Sequence, residues 1–195
     1  MPHIHNQPDQ HDMTVSAYIV RQINDEWKCL VHYHKKLDAL MQIGGHIELN
    51  ETPWQALAHE LTEESGYQLS DLSIMQFTAD RVSETANVVH PTPFSMNTHF
   101  VGNEHFHSDM CYGFIAASAP LSNVAEGEAT DLRWLSLDEL NAGAEYGDVL
   151  KDVAAIYAFL LNHIDQYVSV PASSFSVEKP HTALVSYKHG APGQP

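Results

Sequence analysis

Residues Gly44-Gly45-His46-Ile47-Glu48-Leu49-Asn50-Glu51, followed after seven residues by His59-Glu60-Leu61-Thr62-Glu63-Glu64-Ser65-Gly66, decide how this chain folds. Thr52 is a good N-cap, Pro53 suits the first helical position, and Gln55 completes a Thr-x-x-Gln capping box. Gly66 is placed to end the helix in the left-handed conformation. The pattern predicts a helix over 52–65, preceded by a tight backbone bend at Gly44-Gly45. On that helix Glu60, Glu63 and Glu64 share about 100° of arc, while Trp54, Leu57, Ala58 and Leu61 occupy a separate, inward arc. Three carboxylates this close repel one another, and they sit at the helix end where the macrodipole disfavours negative charge. A hard divalent cation would reverse both effects, and Mg²⁺ is the usual ion where phosphates share the coordination. A solvated acidic face on an acidic protein is the plainer alternative.

Upstream, Met13–Arg21 alternates Val15, Ala17 and Ile19 against Tyr18 and Val20, which predicts a strand. Asn24-Asp25 is a turn, and Trp27–Tyr33 is the second arm of a hairpin. A short strand at Met41–Ile43 leads into the glycines. Downstream, strands are expected at Leu72–Ala79, Asp109–Ala117 and Leu132–Leu135, with an irregular loop over 83–108. Ser136 caps a brief helix, and 147–167 carries a helical apolar stripe. Residues 1–12 are expected to be a flexible end, 13–167 the folded domain, and 168–195 a tail with no helical stripe. Strands and helices without regular alternation indicate an α/β fold, a sandwich with a mixed sheet.

Nine basic residues against 25 acidic ones give a net charge of −16 with histidine neutral. Such a surface repels nucleic-acid polymers, and a polyphosphate substrate too unless cations neutralise its site. The longest apolar run, Val153–Leu161, is too short to span a bilayer. No basic-then-apolar leader opens the sequence, so a cytoplasmic location is expected. Cys29 and Cys111 make neither a metal pattern nor a disulfide framework.

The segment from Gly45 to Tyr67 resembles the Nudix box, with Gly45, Glu51, Glu60, Leu61, Glu63, Glu64 and Gly66 in register. His59 stands where that family has Arg, and Tyr67 replaces an aliphatic residue. The flanking stretches at 42–48 and 134–140 also look familial, and the resemblance spans about 13–165. It implies a Nudix-type α/β/α sandwich and metal-dependent hydrolysis of a phosphoanhydride bond. The implied substrate is a small nucleotide-like molecule, a nucleoside diphosphate linked to another group. Glu60 and Glu64 would ligate Mg²⁺, with Mn²⁺ a substitute, and Glu63 would ligate it or neighbour it through water. Gly45 would lend its carbonyl, and Glu51 would orient the box. The Arg replaced by His59 would hold the neighbouring glutamates, a task histidine meets with fewer donors. A later carboxylate often completes such a site, and Glu126 and Glu128 are the first candidates, Glu104 and Asp109 the second. The resemblance also leaves a homodimer open, with the 168–195 tail able to cross to a partner.

His105, His107 and Asp109 alternate, so an extended backbone would turn them to one face. They could touch substrate or bind Zn²⁺ or Mn²⁺, or simply belong to a polar loop. Three rival functions follow: a diphosphate isomerase with Cys111 as its catalytic thiol, a non-catalytic Nudix-like nucleotide sensor, and a transition-metal-binding protein built on this histidine-rich stretch.

Overall fold

The computed structural model describes residues 9–82, 88–101, 105–122 and 131–179. Strands β1 (His11–Ile23) and β2 (Glu26–His34) form a hairpin. Its two turn residues, Asn24 and Asp25, have φ of 52° and 63°. Two consecutive left-handed residues match the right-handed twist of the flanking strands, and Asn and Asp tolerate that conformation. After the hairpin come β3 (Ala39–Met41), β4 (Ile43–His46), helix α1 (Pro53–Glu60), β5 (Leu72–Gln76), β6 (Ser95–Phe100) and β7 (Phe106–Ala116). The chain continues through β8 (Leu132–Leu135), α2 (Leu137–Tyr146), α3 (Lys151–Asn162) and β9 (Val168–Pro171).

Among the described residues the nine strands make one sheet, ordered β3-β2-β1-β7-β5-β9, with β4 on β1, β6 on β7 and β8 on β2. Only β1 and β7 run parallel, from His11↔Phe106 to Val20↔Ile115, so the sheet is mixed. Val15, Ala17 and Ile19 of β1 join Trp54, Leu57 and Leu61 under α1. Tyr18 and Val20 join Val153, Tyr157 and Leu160 under α3. The period-two alternation in Met13–Arg21 thus feeds two cores, one on each face, in an α/β/α sandwich.

β1 and β2 part company beyond Val20 and Cys29, where β4 takes over the edge of β1 and β3 that of β2. Tyr157 of α3 fills this fork. Its hydroxyl accepts from the Ile19 N–H at 3.2 Å and donates to the Leu30 carbonyl at 2.5 Å. Two backbone groups that the splitting ladder would strand are thereby satisfied.

Four expectations are corrected by the fold. The sheet begins at His11, so residues 11 and 12 lie inside the domain. β6 pairs with β7 within the stretch read as an irregular loop; its alternation (SMNTHF) carries few apolar residues because most of its side chains are exposed. β9 pairs with β5, and the residues after it reach the core, where Phe175 is buried and its carbonyl accepts from Trp54 Nε1 at 3.3 Å. The start of the tail therefore packs on its own domain. On α1, Ala56 rather than Ala58 is buried. Among the described residues no helix is long and apolar enough to cross a membrane.

Candidate active site

Helix α1 starts with the reciprocal capping box of Thr52 and Gln55 and continues past Glu60 as a π-helical turn, Leu61–Ser65. The Thr62 and Ser65 hydroxyls donate to the carbonyls four residues back, competing with the backbone ladder. π turns recur at functional sites because they re-aim side chains without ending the helix. Gly66, at φ 74°, then closes it in the left-handed conformation.

Glu60 and Glu64 are drawn inward, at 5% and 8% exposure. Glu60 lies against Gly45, where a β-carbon would stand 2.1 Å from its Oε1. Glu64 Oε2 accepts a hydrogen bond from the Gly44 N–H at 3.0 Å. Gly44 has φ 151°, and a β-carbon there would stand 2.2 Å from the Val15 carbonyl oxygen. The glycine pair is thus required twice: once for its backbone, once for the room it leaves a carboxylate.

Glu63 turns elsewhere. His59 Nε2 lies 2.9 Å from Glu63 Oε1, and His59 Nδ1 lies 3.6 Å from Glu51 Oε1. The histidine at the arginine position spans two glutamates of the box, using both ring nitrogens. His32 of β2, which belongs to no motif, has Nε2 3.6 Å from Glu64 Oε2. Burial, then the neighbouring charge of His34, pushes His32 down to about 4. At neutral pH this contact is therefore a polar one with a neutral imidazole, not an ion pair.

Two carboxylates beside a glycine pair with no side chains in the way form an all-oxygen donor set open to a backbone carbonyl. This chemistry fits a hard divalent cation. Of the other carboxylates singled out, Glu104, Glu126 and Glu128 lie outside the described residues. Asp109 is buried on β7, accepting from Thr14 Oγ1 at 2.8 Å and from the Cys111 thiol at 3.2 Å. Cys111 is fully buried, and burial followed by the Asp109 charge pushes its thiol well up, which disfavours the thiolate.

His105 and His107 share a face as the alternation predicts, but the acid beside them is Asp12 of β1, and His46 of β4 joins them. Both were missed. Asp12 sits in a stretch that reads as a chain end, and His46 reads as part of the glycine motif. An open cleft of about 520 Å³ lies between residues 9–13 and Ile47-Glu48-Leu49. It borders Asp12, whereas Glu60 and Glu64 do not line it.

An acidic helix end turned onto a glycine pair, inside an α/β/α sandwich, defines the class as Nudix-type pyrophosphate hydrolases. Residues 11–153 match the NUDIX domain, and the chain belongs to that family. A NUDIX-family hydrolase from Clostridium perfringens is similar in structure, with 24% identity, 78% of this chain and 97% of that one covered, and a TM-score of 0.61. So is the NUDIX domain of Shewanella oneidensis NrtR complexed with ADP ribose (13%, 83% and 90%, 0.56). A C. elegans Ap4A hydrolase is similar as well (15%, 76% and 98%, 0.54). No curated protein matches the chain in sequence.

Proposed function

We propose that this protein is a metal-dependent hydrolase of a nucleoside diphosphate linked to a further group, using Mg²⁺ or, in its place, Mn²⁺. The observation that carries the reading is the seating of Glu60 and Glu64, two buried carboxylates, on the Gly44-Gly45 pair. Two buried carboxylates one helical turn apart are stabilised when positive charge joins them. Glu60 and Glu64 would hold the ion, with the Gly45 carbonyl beside them and Glu63 reaching it through water. Glu51 and His59 would keep Glu63 in place. Bound there, the cation would offset charge on the diphosphate oxygens and lower the pKa of the attacking water. The water oxygen bonds to one phosphorus as the bridging oxygen leaves with the other phosphate. Glu126 and Glu128 are the proposed proton acceptors.

The substrate class is supported by the company the fold keeps. ADP ribose and Ap4A, named with two of the similar structures, are both nucleotides whose phosphates carry a second group. The test is a panel of nucleotide sugars, dinucleoside polyphosphates and modified nucleoside triphosphates, read by separating the two phosphate-ended products, or by phosphate or pyrophosphate release from the triphosphates, with Mg²⁺ or Mn²⁺. Glu64→Gln serves as the blank: its amide oxygen can still accept from Gly44, so the fold is kept while a charged ligand is lost. Turnover by the wild type and none by E64Q is expected. A wild type that binds these nucleotides but cleaves none with either ion is a sensor.

A further inference from the structure

Among the described residues, one cluster of His, Cys, Asp or Glu side chains brings three ligand atoms together: Asp12, His105 and His107, all within 4.8 Å of one another. His46 completes it. Its Nε2 lies 3.2 Å from His107 Nε2 and 3.6 Å from Asp12 Oδ2, and His105 Nε2 lies 3.5 Å from the same Asp12 oxygen. Asp12, His105 and His46 are 2%, 4% and 9% exposed.

We propose that Asp12, His46, His105 and His107 form a structural site for a Zn²⁺-class ion, separate from the Nudix-box carboxylates. The distances carry this. Zn–N and Zn–O bonds of about 2.0–2.2 Å in a tetrahedron put neighbouring ligand atoms roughly 3.3–3.5 Å apart. Three of the six separations in such a set, 3.2, 3.5 and 3.6 Å, lie close to these edges. Three imidazoles and one carboxylate make the softer, nitrogen-rich set that selects Zn²⁺ over Mg²⁺, the reverse of the all-oxygen set at Glu60 and Glu64.

Asp12, His46 and His107 come from three strands, and His105 immediately precedes β7. Asp12 faces His107 across the parallel β1–β7 pair, and His46 faces Thr14 across the antiparallel β1–β4 pair. Four protein ligands would make this a structural ion rather than one with an open catalytic position. The ion would pin the first turns of the sheet together: the start of β1, the start of β7 and the end of β4. Because Gly45 faces Glu60, strand alternation turns His46 to the opposite face of the sheet. The clamp would thus hold the strand that seats the box without touching its carboxylates.

The test uses the full chain stripped with a chelator and titrated with Co²⁺, then Zn²⁺. Tetrahedral nitrogen-rich Co²⁺ absorbs visible light far more intensely than octahedral Co²⁺ in carboxylate sites. The expected result is an intense band saturating at about one equivalent, displaced by Zn²⁺ but not by Mg²⁺, and accompanied by a rise in Tm. Glu64→Gln keeps the band; Asp12→Asn and His107→Gln lose it. Folding of those two variants is checked by circular dichroism, and His46→Gln stands in for either if it does not fold. Only a weak octahedral spectrum, or an intense band that vanishes in E64Q and persists in D12N and H107Q, would overturn the site. Neither result depends on turnover, so failure here is distinct from failure of the hydrolase reading.

Discussion

Glu60 packs its carboxylate against Gly45 so closely that a β-carbon at Gly45 would stand 2.1 Å from Oε1. The neighbouring glycine is tight in a different way, with Val15 backbone 2.2 Å from its own would-be β-carbon and a φ of 151°. The two positions therefore respond differently to the same substitution. In Gly45→Ala the obstacle is the far end of a flexible side chain, so the carboxylate swings away. Stability should change by less than about 1 kcal/mol, while hydrolysis and Mg²⁺ affinity fall roughly 10–100-fold. Gly44→Ala meets backbone and an unfavourable φ, and should cost about 1–3 kcal/mol or more. Urea unfolding of both variants beside Mg²⁺ titration checks this, and equal stabilities for the two would refute it.

His59 spans Glu63 and Glu51 at partly exposed positions. Exposed pairs of this kind are weak, so His59→Ala should weaken apparent Mg²⁺ affinity only about two- to fivefold. His59→Arg, with more donors in a fixed fork, should equal or exceed the wild type. Metal-activation curves for the three proteins decide it; an H59A curve superimposed on the wild type would show that the bridge does nothing.

Tyr157→Phe removes the hydroxyl that bridges the fork between β1 and β2, leaving the Ile19 N–H and Leu30 carbonyl without it. The expected loss is roughly 1–3 kcal/mol, seen as a lower urea midpoint at unchanged slope. A midpoint within error of the wild type would mean that the two backbone groups find other partners.

Alkaline pH should unfold the protein through its buried thiols. Burial pushes Cys29 up to about 12, and Cys111 is raised as well. Below the unfolded-state value, about 8.5, both states keep these protons and the stability is fully present. Above it the unfolded chain releases them and the folded chain does not, so stability drains away until the folded values are reached. The slope is at most about 1.4 kcal/mol per pH unit for each thiol. Urea midpoints across that range for the wild type and Cys29→Ala measure it, with a shallower decline expected in C29A. Thiol reagents at mildly alkaline pH should leave both cysteines of the native protein unmodified.

What the amino-acid order determined by itself is local or periodic. The Thr52–Gln55 box, Gly66 and the Glu60-Glu63-Glu64 spacing need only a helix's own geometry, and the β1 alternation needs only a strand's. Backbone hydrogen bonding sets those periods, so they can be read one segment at a time. The pairing of side chains far apart in sequence belongs to the sheet. β6 and β9 are short and poorly alternating, and they become strands because β7 and β5 offer open edges. Asp12, His46 and His107 meet because β1 takes β7 as a parallel neighbour and β4 as an antiparallel one. Register between strands depends on which edges close together over the two cores, and that is settled only when the whole sheet forms.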